Sequence, residues 1–505
     1  MPYQVWLESG MVRKSENTKD SVDVDKVLYD EFATREVNLS YLPLGFAKGL
    51  KFYLDNYPYG CSEQVTSAAF PYLYPELLKE FGKAQKEARS AIENVIDILQ
   101  SRQKSDGTIG YWTQKSDSYP ELDAYCALFL TVAKENGYYV PSNMFNRLLN
   151  ALKVQAIDGE GYAAAFSIYV LTRNEIITTS YLERFAKTLS TSEKMSLTGI
   201  YTAASYKLLH MDSEAEKILN KVKKGVAKDL TVFRFESNLY YNSSFLFLIS
   251  EYFPDHLKLI SGDLLDDIQK SVIDRDYNSL SGAMTLMAIQ SYLKAVPTAS
   301  TGKFTVTQDF GKGTDPKAMS FEGEKVFTGT FEAGAKKLLL QNNEKTNLYY
   351  QTTQAGFMKT IPASETKDNG LEVTKVYSTT KGGKSASSFN LGDEVYVTVR
   401  IRSTNKSTIH NVALVDMLPS GFEADIPSIR ENDSEWKPDY IDIRDDRVIF
   451  YGTASPDAKS FTYKAKAITN GNFVVPPLFA QAMYENKIKA IKPYDKIDIT
   501  KKNEK

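Results

Sequence analysis

The stretch Tyr57-Pro58-Tyr59-Gly60-Cys61-Ser62-Glu63-Gln64-Val65-Thr66-Ser67 sets a thiol and a carboxamide at i and i+3. Pro58 and Gly60 force a tight, non-helical approach, and Val65, Ala68, Ala69 and Tyr72 then fall on one helical face. Cys61 is therefore expected at or just before a helix N-terminus, where the macrodipole favours the thiolate. Gln64 shares its face, with the carboxamide in reach of the sulfur. A thiolate that attacks the carboxamide and expels ammonia leaves an internal thioester, a stored acyl electrophile. It needs shielding from water and, once released, acylates the nearest amine or hydroxyl. The same residues also fit a plainer arrangement, in which Cys61 is a small buried hydrophobe and Gln64 a helix cap. Spacing alone does not choose between the two.

The chain that must position these groups has 505 residues, a length that suggests about three domains. Apolar residues make up 42% and charged residues 25%, with 61 Lys+Arg against 63 Asp+Glu. That balance excludes a disordered chain and offers no electrostatic footprint for nucleic acid. Two Cys cannot build a disulfide framework and three His argue against a multi-histidine metal centre, so neither a metal nor another cofactor is expected. No apolar run reaches the length of a membrane span, and the first residues lack the cationic and apolar regions of a signal peptide.

Residues through about Glu36 read as strands and loops, with Ser15–Asp20 a polar break. Helical periodicity follows in Phe46, Leu50, Tyr53 and Leu54, and again in Ala88, Ile92, Val95, Ile96 and Leu99. Clusters of small residues then recur at Ala124–Leu128, Ala163–Phe166, Tyr201–Ala204, Ser243–Leu246 and Gly282–Leu286. Their spacing of about 40 residues suits one helix pair per repeat, each cluster marking the inner helix. Stacked hairpins can form an open solenoid or close into a toroid, and periodicity leaves that open. Past a linker at Thr298–Gly302 the period becomes two, in Phe304–Thr307, Lys325–Thr328 and Leu348–Thr352. A second β-run from near Gly370 covers Glu372–Tyr377, Val395–Ile401, Val448–Tyr451, Phe461–Ala465 and Phe473–Val475, a pattern that argues for a sandwich.

Tyr57-Pro-Tyr-Gly-Cys-Ser-Glu-Gln64 resembles the thioester motif of the bacterial alpha-2-macroglobulin family; Ser62 and Val65 depart from the eukaryotic form. Asp106–Trp112 with Asp123-Ala124-Tyr125 is similar to that family's thioester domain. Asp416–Glu423, Arg444–Val448, Pro476-Pro477 and Ala482–Tyr484 look like its C-terminal macroglobulin-like sandwich. The resemblance implies a multidomain α + β fold: an α/α toroid of helical hairpins inserted in a CUB-like β domain, followed by a β-sandwich. The implied bounds are 1–37 and 298–365 for the two CUB-like parts, 38–297 for the toroid and 366–505 for the sandwich.

The implied function is a protease inhibitor rather than an enzyme. A protease cuts an upstream bait region, the thioester is exposed, and a protease lysine amine becomes joined to Gln64 with Cys61 as leaving group. The event is a single acylation without turnover. Partners implied are the trapped proteases and upstream macroglobulin-like domains. The implied location is the bacterial cell envelope, periplasmic or surface-exposed. The resemblance also implies shielding of the bond by Tyr57, with Tyr59 beside it, and a lock by Met483; Glu63 orients the site or is a first-turn carboxylate. Complement components use a histidine to redirect the acyl group to hydroxyls, but His210, His256 and His410 stand in no matching motif, so direct aminolysis is expected. Cys126 reads as core. Two other uses of the same chain are a covalent surface-binding module and an α/α toroid hydrolase or lyase, the latter without a Cys/His or carboxylate pair to support it.

Overall fold

The computed structural model describes residues 4–13, 18–42, 45–80, 85–176, 178–222, 237–296, 302–360 and 370–501. The linker at Thr298–Gly302, except its last residue, and the first half of the Ser15–Asp20 break fall outside these. Two compact units divide the chain, one through Phe357 and one from Met358.

The first unit opens with β1 (Gln4–Val12), β2 (Thr18–Asp23) and β3 (Thr34–Ser40) and closes with β4 (Phe304–Asp309), β5 (Lys317–Ala318), β6 (Phe327–Thr330), β7 (Lys337–Asn342) and β8 (Leu348–Gly356). The strands interleave across the intervening helices, in the orders β1-β8-β3-β6 and β2-β7-β4-β5. Neither flanking piece could close a sheet alone, since β8 lies between β1 and β3. Val12, Val37, Leu39, Val306, Leu338, Leu340 and Leu348 share one core drawn from both sheets. Thr18–Asp23 corrects the expectation of a polar break: it is a strand whose polar side chains stay mostly exposed while its backbone pairs with β7.

Among the described residues, twelve of the helices between these strands are longer than six residues: α1 (Ala47–Asp55), α2 (Ser62–Ala69), α3 (Gln85–Arg102), α4 (Pro120–Glu135), α5 (Ser142–Asp158), α6 (Gly161–Arg173), α7 (Thr179–Thr188), α8 (Leu197–Leu208), α9 (Asp212–Leu219), α10 (Asn238–Tyr252), α11 (Leu257–Ile273) and α12 (Ser279–Ala295), with shorter helical turns left unnumbered. The five small-residue clusters sit in α4, α6, α8, α10 and α12. Each of these helices is buried nearly all round, as in α4 from Leu122 through Ala133, which marks an inner position. Outer helices bury one stripe only, as in Met144, Phe145, Leu148, Leu149 and Leu152 of α5. Inner neighbours pack α2 on α4, α4 on α6, α6 on α8, α8 on α10, α10 on α12, and α12 back on α2. The hairpins therefore close into a toroid, and α2 is one of its inner helices. Helix α1 seats on β8 at Gly49, where any Cβ would lie 1.7 Å from Gln351 Oε1.

The second unit is a β-sandwich of β9 (Leu371–Ser378), β10 (Ser388–Asn390), β11 (Glu394–Ser403), β12 (Ile409–Met417), β13 (Phe422–Ala424), β14 (Tyr440–Arg444), β15 (Arg447–Ala454), β16 (Lys459–Ala467), β17 (Gly471–Val475), β18 (Leu478–Ala482), β19 (Lys489–Lys492) and β20 (Asp495–Thr500). The sheets run β13-β16-β11-β9 and β14-β15-β12-β18-β19, with a smaller β10-β20-β17. Val395, Val397 and Val399 of one main sheet share a core with Val412, Leu414 and Phe450 of the other. Lys375 of β9 and Asp416 of β12 form an ion pair across that core, with side-chain exposures of 2% and 0%. Tyr463 Oη donates to the second Asp416 oxygen at 2.7 Å, and Lys375 Nζ donates to the Met417 carbonyl at 3.1 Å. Burial holds the Lys375 amine below its ordinary range, and Asp416 opposes that shift.

Candidate functional site

Cys61 is the N-cap of α2, with extended dihedrals of φ −65° and ψ 168°, and Gln64 is its third helical residue. Each side chain reaches toward the other residue's backbone in a capping-box arrangement, and the Cys61 N–H donates to Gln64 Oε1 at 3.1 Å. Both are buried, at 0% and 2% exposure. The bond from the Cys61 N–H polarises the carboxamide carbonyl beside the thiol, at a helix end that favours negative charge. The capping role thus brings the Gln64 carboxamide to the backbone of the residue that carries the thiol.

The apolar face expected from Val65, Ala68, Ala69 and Tyr72 needs correction. Helix α2 ends at Ala69 and buries Ser62, Glu63, Gln64, Thr66 and Ser67. An inner helix of the ring has neighbours on most sides, and its polar groups find partners there. Thr66 Oγ1 donates to the Ser62 carbonyl at 2.7 Å. Glu63 accepts from Ser67 Oγ at 2.5 Å and from Ser279 Oγ at 2.9 Å, and Ser67 Oγ meets Tyr125 Oη at 2.8 Å. Glu63 therefore ties α2 to the first residue of α12, besides being a first-turn carboxylate.

The residues on either side of Cys61 are held from outside the helix. Arg102, at the end of α3, donates to the Gly60 carbonyl at 2.9 Å and to Ser62 Oγ at 3.2 Å. Ser62 Oγ donates to the Gly110 carbonyl at 2.7 Å, and the Ser62 N–H donates to the Tyr111 carbonyl at 2.8 Å. Gly107, with φ +92°, turns this segment back, and at Gly110 a Cβ would lie 1.9 Å from the Thr113 carbonyl oxygen. Arg102 carried no sequence signal, because its partners are backbone carbonyls and a serine far away in the chain.

Tyr57 packs edge-on to Tyr59 with ring centroids 5.4 Å apart and to Tyr53 at 5.3 Å, and Tyr53 continues the row to Tyr277 at 5.1 Å. Burial, with Tyr53, Tyr59, Glu63 and Cys61 as neighbours, holds the Tyr57 phenol well above its ordinary range. Tyr57, Tyr59, Cys61, Glu63 and Gln64 thus stand together. Cys126 forms no disulfide with Cys61; its Sγ lies 3.7 Å from Thr66 Oγ1, and burial raises its thiol. Met483 belongs to the second unit, where its N–H donates to the Asn411 carbonyl at 2.9 Å. His256 pairs with Glu216 at 3.3 Å, His410 lies 3.4 Å from Thr453 Oγ1, and His210 occupies the turn after α8.

Residues 370–486 match the family model described as Bacterial Alpha-2-macroglobulin MG10 domain. An alpha-2-macroglobulin homolog of Yersinia pestis is 32% identical over 97% of this chain and 26% of its own length. The alpha-2-macroglobulin of Rickettsia conorii is also 32% identical, over 93% of this chain and 25% of its own length. The chain therefore spans about a quarter of these curated relatives. Native alpha-2-macroglobulin from Escherichia coli, in a crystal structure spanning domain MG7 to the C-terminus, superposes with a TM-score of 0.80. It is 19% identical, over 99% of this chain and 82% of that one.

Proposed function

Since the chain belongs to the bacterial alpha-2-macroglobulin family, we propose that it is the thioester-bearing part of a protease inhibitor that captures proteases covalently through Cys61 and Gln64. One observation carries the reading: Gln64 Oε1 of a buried carboxamide accepts at 3.1 Å from the backbone N–H of Cys61, whose thiol is itself buried. Attack of the Cys61 thiolate on Gln64 Cδ forms the S–C bond, and the carboxamide nitrogen leaves as ammonia with the thiol proton. A protease lysine amine then attacks the same carbon, an amide forms, and Cys61 departs as a thiol. Each molecule acts once.

In this scheme Tyr57 and Tyr59 exclude water from the bond and Glu63 holds α2 in the ring, while Met483 takes its locking role from the family resemblance. The two flanking β pieces, 1–37 and 298–365, are the parts of the CUB-like domain, 38–297 is the thioester domain and 366–505 the macroglobulin-like sandwich. Strand β3 extends the first β piece to Ser40. The proposed setting is the bacterial cell envelope; among the described residues no helix is long and apolar enough to cross a membrane.

The test is intact mass and amine labelling. The folded protein is expected to be lighter than its sequence by one ammonia, and methylamine should be incorporated at Gln64 while releasing one thiol. A full sequence mass with a titratable Cys61 thiol before any amine is added would overturn the reading. Covalent capture of surface amines without proteolysis of the full-length protein would favour the surface-binding module instead. Tyr57→Gly is expected to shorten the lifetime of the bond toward water about tenfold, equivalent to about 1.4 kcal/mol of barrier. Timed thiol release without added amine measures it.

A further inference from the structure

The grip on Ser62 depends on a residue that is not part of the thioester pair. Ile109, Gly110 and Tyr111 precede α4 without belonging to a helix or a named strand; Gln103 and Ile109 make only an isolated bridge. The Ile109 N–H donates to Asp123 Oδ1 at 2.7 Å, and the Gln155 amide of α5 donates to Asp123 Oδ2 at 2.9 Å. Ser167 of α6 in turn donates to Gln155 Oε1 at 2.9 Å. Asp123 is 1% exposed, so no bulk water replaces these bonds. One and two residues beyond that anchor point, the Gly110 and Tyr111 carbonyls accept the bonds from Ser62, next to Cys61.

We infer that Asp123 is a positioning residue for the thioester: it fixes loop 109–111 in the conformation that grips Ser62, and so holds Cys61 against Gln64. This rests on the proposed thioester. One loop and helix α5 converge on a single carboxylate of α4, and both of its oxygens are used as acceptors. Replacing either acceptor oxygen by a donor disrupts one side of that junction, because the Ile109 and Gln155 groups are both donors.

The junction carries a pH signature. Burial raises the Asp123 carboxyl to about 7; Asp106 adds to the shift, while the Ile109 N–H, Gln155 and Lys104 oppose it. Cys126 on the same helix is a further titratable neighbour. Protonation turns one acceptor oxygen into a hydroxyl and weakens one of the two bonds. The carboxyl pKa is higher folded than unfolded, so its contribution to global stability is present at low pH and is lost as pH rises through about 7. Loosening of the loop at lower pH is thus opposite in sign to unfolding driven by this group. It is also opposite to hydroxide attack on a thioester, which speeds up as pH rises.

The test measures thioester lifetime, by timed thiol release, in the whole chain between about pH 6 and about pH 8. The wild-type lifetime should shorten as pH falls through about 7. Asp123→Asn should shorten it about tenfold at about pH 8 and flatten that dependence. Asp123→Asn combined with Gln155→Glu should restore most of the lifetime, since the new amide can donate to the new carboxylate. If the single variant does not fold, the wild-type profile and the double variant still decide. A wild-type lifetime that only lengthens toward low pH overturns the inference, as does an Asp123→Asn protein with wild-type lifetime and profile, and the thioester reading survives both. A wild type that never loses ammonia defeats that reading and this inference with it.

Discussion

Cys61→Ala is expected to abolish both the ammonia loss and the incorporation of methylamine, while leaving the fold in place. The sulfur is the only group placed to attack the Gln64 carbonyl in the proposed scheme, so the effect is complete loss of labelling rather than a slower rate. Structural cost should be small: alanine removes a capping partner at the start of α2, worth about 1 kcal/mol, and leaves the Cys61 N–H bond to Gln64 Oε1 geometrically possible. Gln64→Glu is the complementary change. It keeps an acceptor for that N–H but has no ammonia to expel, so the Cys61 thiol should titrate freely after denaturation. Intact mass, labelled-methylamine counting and thermal unfolding on the same samples separate chemistry from stability. Residual incorporation at Gln64 in the alanine protein would contradict the scheme.

Asp416→Ala is expected to destabilise the second unit by about 3–5 kcal/mol, the usual cost of leaving a buried charge without its partner. The Lys375 amine would remain in a core built from Val397, Val399, Leu414 and Phe450, and Tyr463 Oη would lose its acceptor. Lys375→Met removes the other partner and should cost a similar amount. Changing both together, Lys375→Met with Asp416→Leu, should recover most of the loss, because well-packed apolar pairs often equal or exceed a buried ion pair. Denaturant unfolding followed by fluorescence in a Trp6→Phe, Trp112→Phe background reports on this unit, since Trp436 is buried in the same core. A double variant as unstable as the singles would point to packing rather than charge.

Local chemistry in the chain was enough to locate the thiol and carboxamide, because Pro58, Gly60 and a three-residue spacing act within one turn of helix. The ring was legible in part. Small-residue clusters identified five inner helices, but α2, the sixth, is lined with Ser, Thr and Glu, and its inner position depends on hydroxyl partners such as Ser279 that are distant in sequence. For the same reason the motif that contains Asp123 gives no hint of what its carboxylate holds, and Arg102 stands in no motif: each acts on backbone atoms whose path only the folded chain defines. Strand β2 was read as a polar break because its side chains are mostly solvent-facing; its identity comes from backbone pairing with β7. In β12 a register shift between Ile409 and Val412 breaks the alternation that exposes a strand to inspection.

The bond from Ser279 to Glu63 joins residues 216 positions apart, and β1 pairs with β8 across the whole helical insertion. Closing loops of that size comes late in folding, after the local hairpins have formed. During synthesis the Cys61 segment leaves the ribosome long before α12 and β8 exist to enclose it. Under the proposed scheme this order of events guards the chemistry: an unclosed ring leaves thiol and carboxamide solvated, so the acyl bond is expected to form only on chains whose last helix has docked. In that scheme, truncated or stalled chains carry an inert cysteine in place of the proposed acylating agent.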